Sequence, residues 1–166
     1  TAVSPDAHPA VSQLVMPVQQ ILRAAGQLIL DAKAQSFAVD EKGEKNFVTA
    51  VDLAVQSQIV SQLQVLTPGY AFLAEEEDLS DPVSERPVWI LDPVDGTTNL
   101  MRHNQHSAIS LALAAQGEVQ LGFVYNPYLN ELFTAIRGQG VTLNGNPVQT
   151  SPVHQLLDHL SEPDWR

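Results

Sequence analysis

The chain has 166 residues, of which 44% are apolar, and a formal net charge of −11. This length suits one ordinary domain with a hydrophobic core. The acidic balance argues against nucleic acid or an anionic membrane as a partner, because both attract clustered Lys and Arg. The chain has no cysteine, so disulfides, thiolate metal sites and a cysteine nucleophile are excluded.

The sequence contains neither an unbroken run of 18 apolar residues nor a basic start followed by an apolar segment. We therefore expect a soluble, cytoplasmic protein that does not contact membranes. Residues 1–9 are polar and include two prolines, which predicts a flexible tail. Residues 10–166 are expected to form a single α+β domain.

Two helices are predicted in the first half of the chain. Apolar residues recur at helical spacing from Ala10 to Lys33, where Pro17 either kinks the helix or marks its first turn. The charged segment Gln35–Lys45 lacks this periodicity and predicts a loop. A second helix is predicted around and after Asp52, closing at Thr67-Pro68-Gly69. Its apolar face comprises Val51, Val55, Ile59, Leu63 and Leu66.

The remainder is β-rich. A short strand is predicted over Tyr70–Ala74, followed at once by the acidic run Glu75–Asp78, and a buried strand over Val88–Leu91. Later strands are predicted over Ala108–Ala114, Val119–Tyr125, Glu131–Ile136 and Val141–Val148, the last containing an Asn-Gly turn signal. A short final helix is predicted over Leu156–Leu160. The order of elements predicts two helices packed on a large, mostly antiparallel sheet.

Two carboxylates follow the buried strand closely. Asp92 lies where the strand ends, and Pro93 is expected to stop the ladder and turn Asp95 back toward Asp92. Like charges in one small volume repel unless a cation lies between them, which indicates a divalent metal, with Mg²⁺ favoured. The alternative is an ordinary Asp-Pro and Asp-Gly turn between two strands.

The residues after Asp95 suit a phosphate. Gly96 allows the backbone to approach a ligand closely, and Thr97, Thr98 and Asn99 provide hydroxyl and N–H groups of the helix-capping kind. An EF-hand loop with Gly96 as its sixth residue fails, because Leu91 and Pro93 would occupy ligand positions. His103 and His106 could suggest zinc, but no third nitrogen or sulfur ligand is evident.

The string Asp92-Pro93-Val94-Asp95-Gly96-Thr97-Thr98-Asn99 resembles the signature of the inositol monophosphatase family of Mg²⁺-dependent, lithium-sensitive phosphatases. Two upstream segments also resemble this family. Asn46–Asp52 is similar to its Asp-x-x-Thr-x-x-Asp segment, with Asn46 at the first aspartate, and Ala74-Glu75-Glu76 is similar to its Gly-Glu-Glu. The resemblance implies the first half of an αβαβα sandwich, with two helices covering a large antiparallel sheet.

The resemblance also implies metal ligands. Glu75, Asp92 and the backbone carbonyl of Val94 would hold one Mg²⁺, and Asp92 and Asp95 would help to hold a second. Two or three ions are expected in all, with Ca²⁺ or Mn²⁺ as substitutes. Thr97, paired with Glu75 or Asp52, would orient and deprotonate the attacking water.

Further roles are implied for residues around these ligands. Gly96, Thr97 and Thr98 would bind phosphate oxygens, and Glu76 would support Glu75. Thr49 would accompany Asp52, although Thr49 and Asp52 also read locally as a helix-capping box. Lys42 would approach the site on a mobile loop, although a solvated surface lysine is the local alternative.

The implied activity is hydrolysis of a small polyol or sugar phosphate by metal-activated water. Members of the family are roughly half as long again and carry a later Trp-Asp-x-Ala-Ala-like motif that is absent here. The alternative is therefore a truncated, non-catalytic metal-binding or assembly module on the same scaffold. An uncovered sheet edge predicts a homodimer, or a partner chain that covers the missing half.

Overall fold

The computed structural model describes residues 10–36, 41–74, 86–96, 99 and 106–150. The predicted tail over residues 1–9 and the predicted helix over Leu156–Leu160 lie outside these residues. Two helices, α1 (Val11–Ser36) and α2 (Glu41–Leu66), precede the sheet. The described strands are β1 (Ala71–Ala74), β2 (Val88–Asp95), β3 (Ala108–Ala115), β4 (Glu118–Asn126), β5 (Glu131–Ile136), β6 (Gly140–Leu143) and β7 (Asn146–Val148).

The strands form one sheet in chain order, from β1 at one edge to β7 at the other. β1 and β2 are parallel, and every later neighbour is antiparallel. The parallel pair is possible because 13 residues separate Ala74 from Val88, whereas the antiparallel strands from β3 onward are joined by tight turns. The predicted mostly antiparallel sheet with two preceding helices is confirmed.

Both helices pack on one face of the sheet, because α1, α2 and alternate strand residues bury their apolar side chains together. The largest fully buried side chains include Leu14, Leu22, Ile29, Ile59, Leu63, Trp89, Leu111, Leu113, Leu121 and Phe123. The opposite face carries Ile90, Val124, Phe133 and Val141, which are between 37% and 45% exposed. In the described part of the chain, the sheet is therefore covered on one face only.

Pro17 lies inside α1, seven residues into the helix, so the prediction that it could mark the first turn was wrong. The helix begins at Val11, one turn and a half earlier. Proline lacks the N–H group that would bond the carbonyl of Gln13, so this turn loses one backbone hydrogen bond. Burial of Leu14 and Val18 on either side of Pro17 holds the helix together across the gap.

α2 begins at Glu41, so the prediction of a loop through Lys45 was wrong over residues 41–45. Glu and Lys are good helix formers, and Gly43 costs only about 1 kcal/mol relative to alanine. A helix that is fixed by packing at Val55 and Ile59 can propagate backward through such residues. This start also places Thr49 well inside the helix, and the capping-box interpretation was therefore wrong.

A buried hydrogen-bond chain joins the end of α2 to β2. The indole Nε1 of Trp89 donates to Thr67 Oγ1 at 2.9 Å, and that hydroxyl donates to the carbonyl of Leu63 at 2.8 Å. Trp89 and Thr67 are both almost fully buried, so each polar atom needs a protein partner. These two hydrogen bonds fix the end of α2 relative to β2, the strand that carries the two aspartates.

The far end of the sheet is tied to α1 by a surface cluster. Asn144 and Gly145 both have positive φ, 49° and 83°, as a two-residue type I′ hairpin turn requires. Arg23 of α1 donates to Asn144 Oδ1 at 3.1 Å and to Asn130 Oδ1 at 2.6 Å, and its guanidinium lies 5.5 Å from the Tyr125 ring centre. These contacts join residues more than 100 positions apart.

Neither α1 nor α2 combines the length and apolarity that a membrane-spanning helix needs over the described residues.

Candidate metal and phosphate site

β2 continues past Pro93 to Asp95, so the prediction that Pro93 ends the strand was wrong. The pairing with β3 shows the reason. Asp92 pairs with Ser110, but Asp95 pairs with Ala108, so three steps along β2 match two steps along β3. The extra residue is a β-bulge, which interrupts the ladder where proline has no N–H to donate.

The bulge decides where the two carboxylates point. In a regular strand, residues three apart face opposite sides of the sheet. Ser110 and Ala108 are two apart and share a face, and cross-strand partners lie on the same face as each other. Asp92 and Asp95 therefore lie side by side on the face that the helices leave uncovered, with the corresponding β3 positions about 7 Å apart.

Exposure differs between the two acids. Asp92 is half-buried in the sheet, whereas Asp95 is exposed at its end. Val94 is 2% exposed and packs in the core, and Pro93 is also buried. The apolar pair anchors the bulge while the acids on either side of it remain accessible to solvent.

Gly96 makes the turn that follows. It has φ +82°, and a Cβ added there would lie 2.7 Å from the backbone carbonyl oxygen of His106. Asn99 closes the turn, because its backbone N–H donates to the Gly96 carbonyl at 2.8 Å and its side-chain amide donates to the His106 carbonyl at 2.7 Å. The buried Ser107 hydroxyl also donates to the Gly96 carbonyl, at 3.0 Å. This position therefore admits glycine alone without rearrangement of the turn.

We expect Gly96→Ala to destabilise the protein by about 2 kcal/mol or more. The positive φ alone costs an alanine about 1 kcal/mol, and the close carbonyl oxygen of His106 requires a backbone shift in addition. Urea unfolding followed by circular dichroism measures the change. Gly138→Ala is the matched control, because Gly138 has φ +74° with open space around it and should show the cost of φ alone. Equal costs for the two variants would contradict the close approach at Gly96.

Asn99 and Ser107 are the residues whose roles sequence reasoning missed. From the sequence, Asn99 is predicted to be a capping residue together with Thr97 and Thr98, and Ser107 has no predicted role. Asn99 instead holds the turn to the strand entering β3, and Ser107 secures the same turn from the other side. A serine directly before an apolar strand and an asparagine three residues after a glycine were the available signals.

Other predicted site residues fall in different places. Asp52 is half-buried within α2. Lys42 and Thr49 lie within α2, where the structure describes their backbone but not their side chains. Glu75, Glu76, Thr97, Thr98 and His103 lie outside the described residues.

The end of β1 lies beside the site. The parallel register aligns Ala74 with Leu91, so the last residue of β1 neighbours the residue that precedes Asp92. Glu75 is the next residue in the sequence after Ala74. The pairing of β1 with β2 thus stops at one end of the two strands. In the sequence, the next residue after each strand's last paired residue is acidic: Glu75 after Ala74, and Asp92 after Leu91.

Asp92 and Asp95 fit a divalent cation in chemistry and in placement. Carboxylate oxygens are the hard donors that Mg²⁺ and Ca²⁺ bind, and the bulge brings both to one face. Within residues 10–36, 41–74, 86–96, 99 and 106–150, no group of three His, Asp or Glu side chains is close enough to hold an ion. The described part of the chain therefore supplies two carboxylates of the site.

Two features define the class of this protein. Two helices cover one face of a mostly antiparallel sheet, and paired aspartates followed by a glycine turn lie at the end of one strand. Residues 11–164 match the profile of the inositol monophosphatase family. The chain belongs to that family, as the resemblance of its aspartate motif predicted.

Relatives of known sequence and structure agree with this assignment. The chain is 37% identical over 136 residues to the Nus factor SuhB of Escherichia coli K12, covering 81% of this chain and 51% of that protein. It is 32% identical over 154 residues to inositol monophosphatase 3 of Solanum lycopersicum, covering 91% and 58%. The crystal structure of the suppressor protein SuhB from Bartonella henselae superposes with a TM-score of 0.75 at 30% identity, covering 86% and 56%. The chain thus spans about half the length of the curated relatives it matches.

Proposed function

We propose that this chain forms the metal-binding part of a Mg²⁺-dependent phosphatase that hydrolyses small polyol phosphates. The observation that carries the proposal is the register of the β1, β2 and β3 strands. It places Ala74, Asp92 and Asp95 at one end of the sheet, with both aspartates on the uncovered face. A bulge that sets two carboxylates side by side brings like charges together, and a bound cation offsets the repulsion between them.

Glu75 is the proposed third carboxylate. It directly follows Ala74, whose partner Leu91 directly precedes Asp92. We assign Glu75, Asp92 and the carbonyl of Val94 to one Mg²⁺, and Asp92 with Asp95 to a second. Glu76 supports Glu75 in this arrangement. Ca²⁺ and Mn²⁺ have the same preference for oxygen ligands and are expected to compete.

Asp52 is the proposed partner of the water that attacks the phosphate. Thr67 and Trp89 fix the end of α2 against β2. The chain reverses between α2 and β1, and β1 runs parallel to β2, so α2 runs antiparallel to β2 and its earlier part extends from Thr67 toward the site end of the strand. Asp52 lies 15 residues before Thr67, about 22 Å along the helix, and Asp95 lies six residues after Trp89, about 20 Å along the strand. The two acids accordingly reach the same end of the fold.

The protein's own groups would divide the work. A bound divalent cation supplies charge neutralisation for the phosphate and lowers the pKa of water. Thr97, paired with Asp52 or Glu75, would orient the attacking water, and the carboxylate of the pair would accept the proton of that water. The N–H groups of Gly96 and Thr97, with the hydroxyl of Thr98, would bind phosphate oxygens. The hydrogen bond from the Asn99 side-chain amide to the His106 carbonyl holds the Gly96 turn in place.

The substrate class rests on family membership and charge. The tomato relative is named an inositol monophosphatase, and a small polyol phosphate is the corresponding substrate here. A chain with net charge −11 repels a phosphate ester, so cation binding must precede substrate binding. Because the chain spans about half of its relatives, we propose that the remaining ligand and the leaving-group pocket come from further sequence or from another chain.

A second candidate is a non-catalytic assembly module that retains the metal site. The Escherichia coli relative is named a Nus factor rather than a phosphatase. The described residues alone supply two aspartates, short of a complete ligand set. In this case the cation would order the turn after β2 without hydrolysis.

The test that separates the two candidates is phosphate release from inositol monophosphate with Mg²⁺ and with Mg²⁺ removed by EDTA. The phosphatase proposal predicts release that depends on Mg²⁺ and returns when the ion is restored. Calorimetry with Mg²⁺ is run on the same preparation. Metal binding without release supports the assembly module, and absence of both contradicts the metal site itself.

A further inference from the structure

Asn144 and Gly145 form the one Asn-Gly pair in the sequence, in the turn between β6 and β7. Asparagine is among the chemically labile residues of proteins. A following glycine leaves the asparagine amide least protected, because glycine has no side chain to shield its own backbone nitrogen from the amide carbon. Both residues are exposed, so water reaches the turn. This part of the sheet lies four strands away from β2 and its two aspartates.

Three hydrogen bonds hold the side-chain amide of Asn144. Its Oδ1 accepts from Nη2 of Arg23 at 3.1 Å and from the backbone N–H of Leu132 at 3.1 Å, and its Nδ2 donates to the carbonyl of Asn130 at 2.9 Å. Arg23 is itself fixed, because its Nη1 donates to Asn130 Oδ1 at 2.6 Å and its guanidinium lies 5.5 Å from the centre of the Tyr125 ring. A side chain of α1 thus helps to position the labile amide.

We propose that Asn144 is a deamidation site that Arg23 protects. In the reaction, the backbone nitrogen of Gly145 attacks Cγ of Asn144 and the bond from Cγ to Nδ2 breaks. The proton of the attacking N–H passes to the leaving nitrogen, which departs as ammonia, and a five-membered succinimide ring remains. Water then adds to one of the two ring carbonyls and breaks its bond to the ring nitrogen, which yields aspartate or isoaspartate. The reaction needs water and no cofactor.

The three hydrogen bonds oppose this ring closure, because the amide must rotate away from its partners before Gly145 can reach Cγ. A hydrogen bond of ordinary net strength lowers the population of the open form about fivefold, so three lower it by roughly 100-fold. Arg23 makes one of these bonds directly. It also bonds the side chain of Asn130, the residue whose carbonyl accepts from Nδ2. Loss of the Arg23 contact therefore exposes the amide to attack.

Both products alter the contact. Aspartate keeps two acceptor oxygens but has no N–H group for the carbonyl of Asn130. Isoaspartate adds one methylene to the backbone of a two-residue turn, whose geometry is fixed by positive φ at Asn144 and Gly145. A modified chain therefore cannot restore all the native hydrogen bonds, and a transient loss of the Arg23 contact becomes permanent.

The experiment incubates the full chain in mildly alkaline buffer and follows deamidation by mass spectrometry. Trypsin releases residues 138–166 as one peptide, because they contain no internal Lys or Arg. Fragmentation of this peptide locates the exchange of an amide NH₂ for a hydroxyl group. Asn146 of the same peptide is an internal control, because Pro147 has no N–H to close a ring. We expect Asn144 to react roughly 100-fold more slowly in the folded chain than in guanidinium chloride.

Arg23→Ala should speed deamidation of the folded chain by about fivefold or more, the factor that one lost hydrogen bond gives. Alanine is the best helix former, so α1 should be preserved, as circular dichroism would verify. Gln27→Ala is the matched control, because Gln27 lies one turn further along α1 and donates to Asp31 of the same helix at 2.8 Å. This variant should deamidate at the native rate.

Gln19→Ala separates the Arg23 contact from general stability. Gln19 also joins α1 to the sheet, but through the buried Thr134 of β5, whose Oγ1 accepts from Nε2 at 3.0 Å. Arg23→Ala should deamidate faster than Gln19→Ala. If Arg23→Ala does not fold, Arg23→Lys tests the same contact, because lysine keeps the charge but lacks the forked donors that reach both asparagines.

Three results would overturn the proposal. The folded native chain deamidates at Asn144 as fast as the unfolded chain, the folded Arg23 variant deamidates no faster than the native chain, or Gln19→Ala deamidates as fast as the Arg23 variant. The first comparison requires no substitution, so it holds even where a variant is unstable.

Discussion

Asp92→Asn is expected to reduce Mg²⁺-dependent phosphate release by at least about 100-fold. The change keeps the size of the side chain and removes its negative charge. Asp92 is half-buried at the bulge and is the one residue assigned to both ions. Loss of a residue that only supports a metal ligand already costs 10- to 100-fold, so loss of a shared ligand should exceed that range.

Steady-state phosphate release and Mg²⁺ calorimetry measure this effect together. We expect the affinity for Mg²⁺ to fall with the rate, and the unfolding midpoint in metal-free buffer to change little. Glu131→Gln is the matched control, because it removes the same charge on β5, away from the bulge. Release that is unchanged by Asp92→Asn, or reduced equally by Glu131→Gln, would exclude Asp92 as a metal ligand.

Trp89→Ala is expected to destabilise the protein by about 3–5 kcal/mol, the usual range for removal of a buried tryptophan or phenylalanine. Trp89 is fully buried beneath the helices, and its loss leaves a cavity and removes the hydrogen bond that the Thr67 hydroxyl accepts, while the bond from that hydroxyl to Leu63 remains. Domains of this size are stable by only about 5–15 kcal/mol, so the variant approaches unfolding at room temperature. Urea unfolding monitored by circular dichroism gives the free energy.

The neighbouring residue supplies the comparison for Trp89. Ile90 follows it on β2 but faces the uncovered side of the sheet, where it is 37% exposed. Ile90→Ala should therefore cost about 1–2 kcal/mol, because the Ile90 side chain is only partly buried and its loss leaves no enclosed cavity. A cost for Trp89→Ala as small as that for Ile90→Ala would show that the helix layer does not pack as described.

One unexplained surface remains adjacent to the site. The sheet face that carries Asp92 and Asp95 also exposes Ile90, Val124 and Phe133. The curated relatives have sequence beyond the part that this chain matches, and this face is where such additional structure would contact the two acids. The phosphate-release assay, repeated with charged substitutions at Ile90 or Phe133, would show whether this face contributes to the proposed activity.

Local chemistry made much of the fold predictable. Helical periodicity identified α1, and strand alternation identified the strands from Ala108 onward within one or two residues. The Asn144-Gly145 pair correctly indicated the hairpin turn between β6 and β7, because both residues adopt positive φ at low energetic cost. The aspartate motif and its family resemblance were likewise visible in eight consecutive residues.

The sequence by itself determined the element types, the family and the identity of the acids, because these depend on residue types and short-range spacing. Tertiary structure alone decided that α2 extends back to Glu41 and that β2 passes through Pro93, because packing and strand pairing outweighed the local signals of Gly43 and proline. It also decided the orientation of the site. Whether Asp95 shares a face with Asp92 depends on one extra residue in the pairing of β2 with β3, and pairing between strands is a long-range property that no single segment encodes.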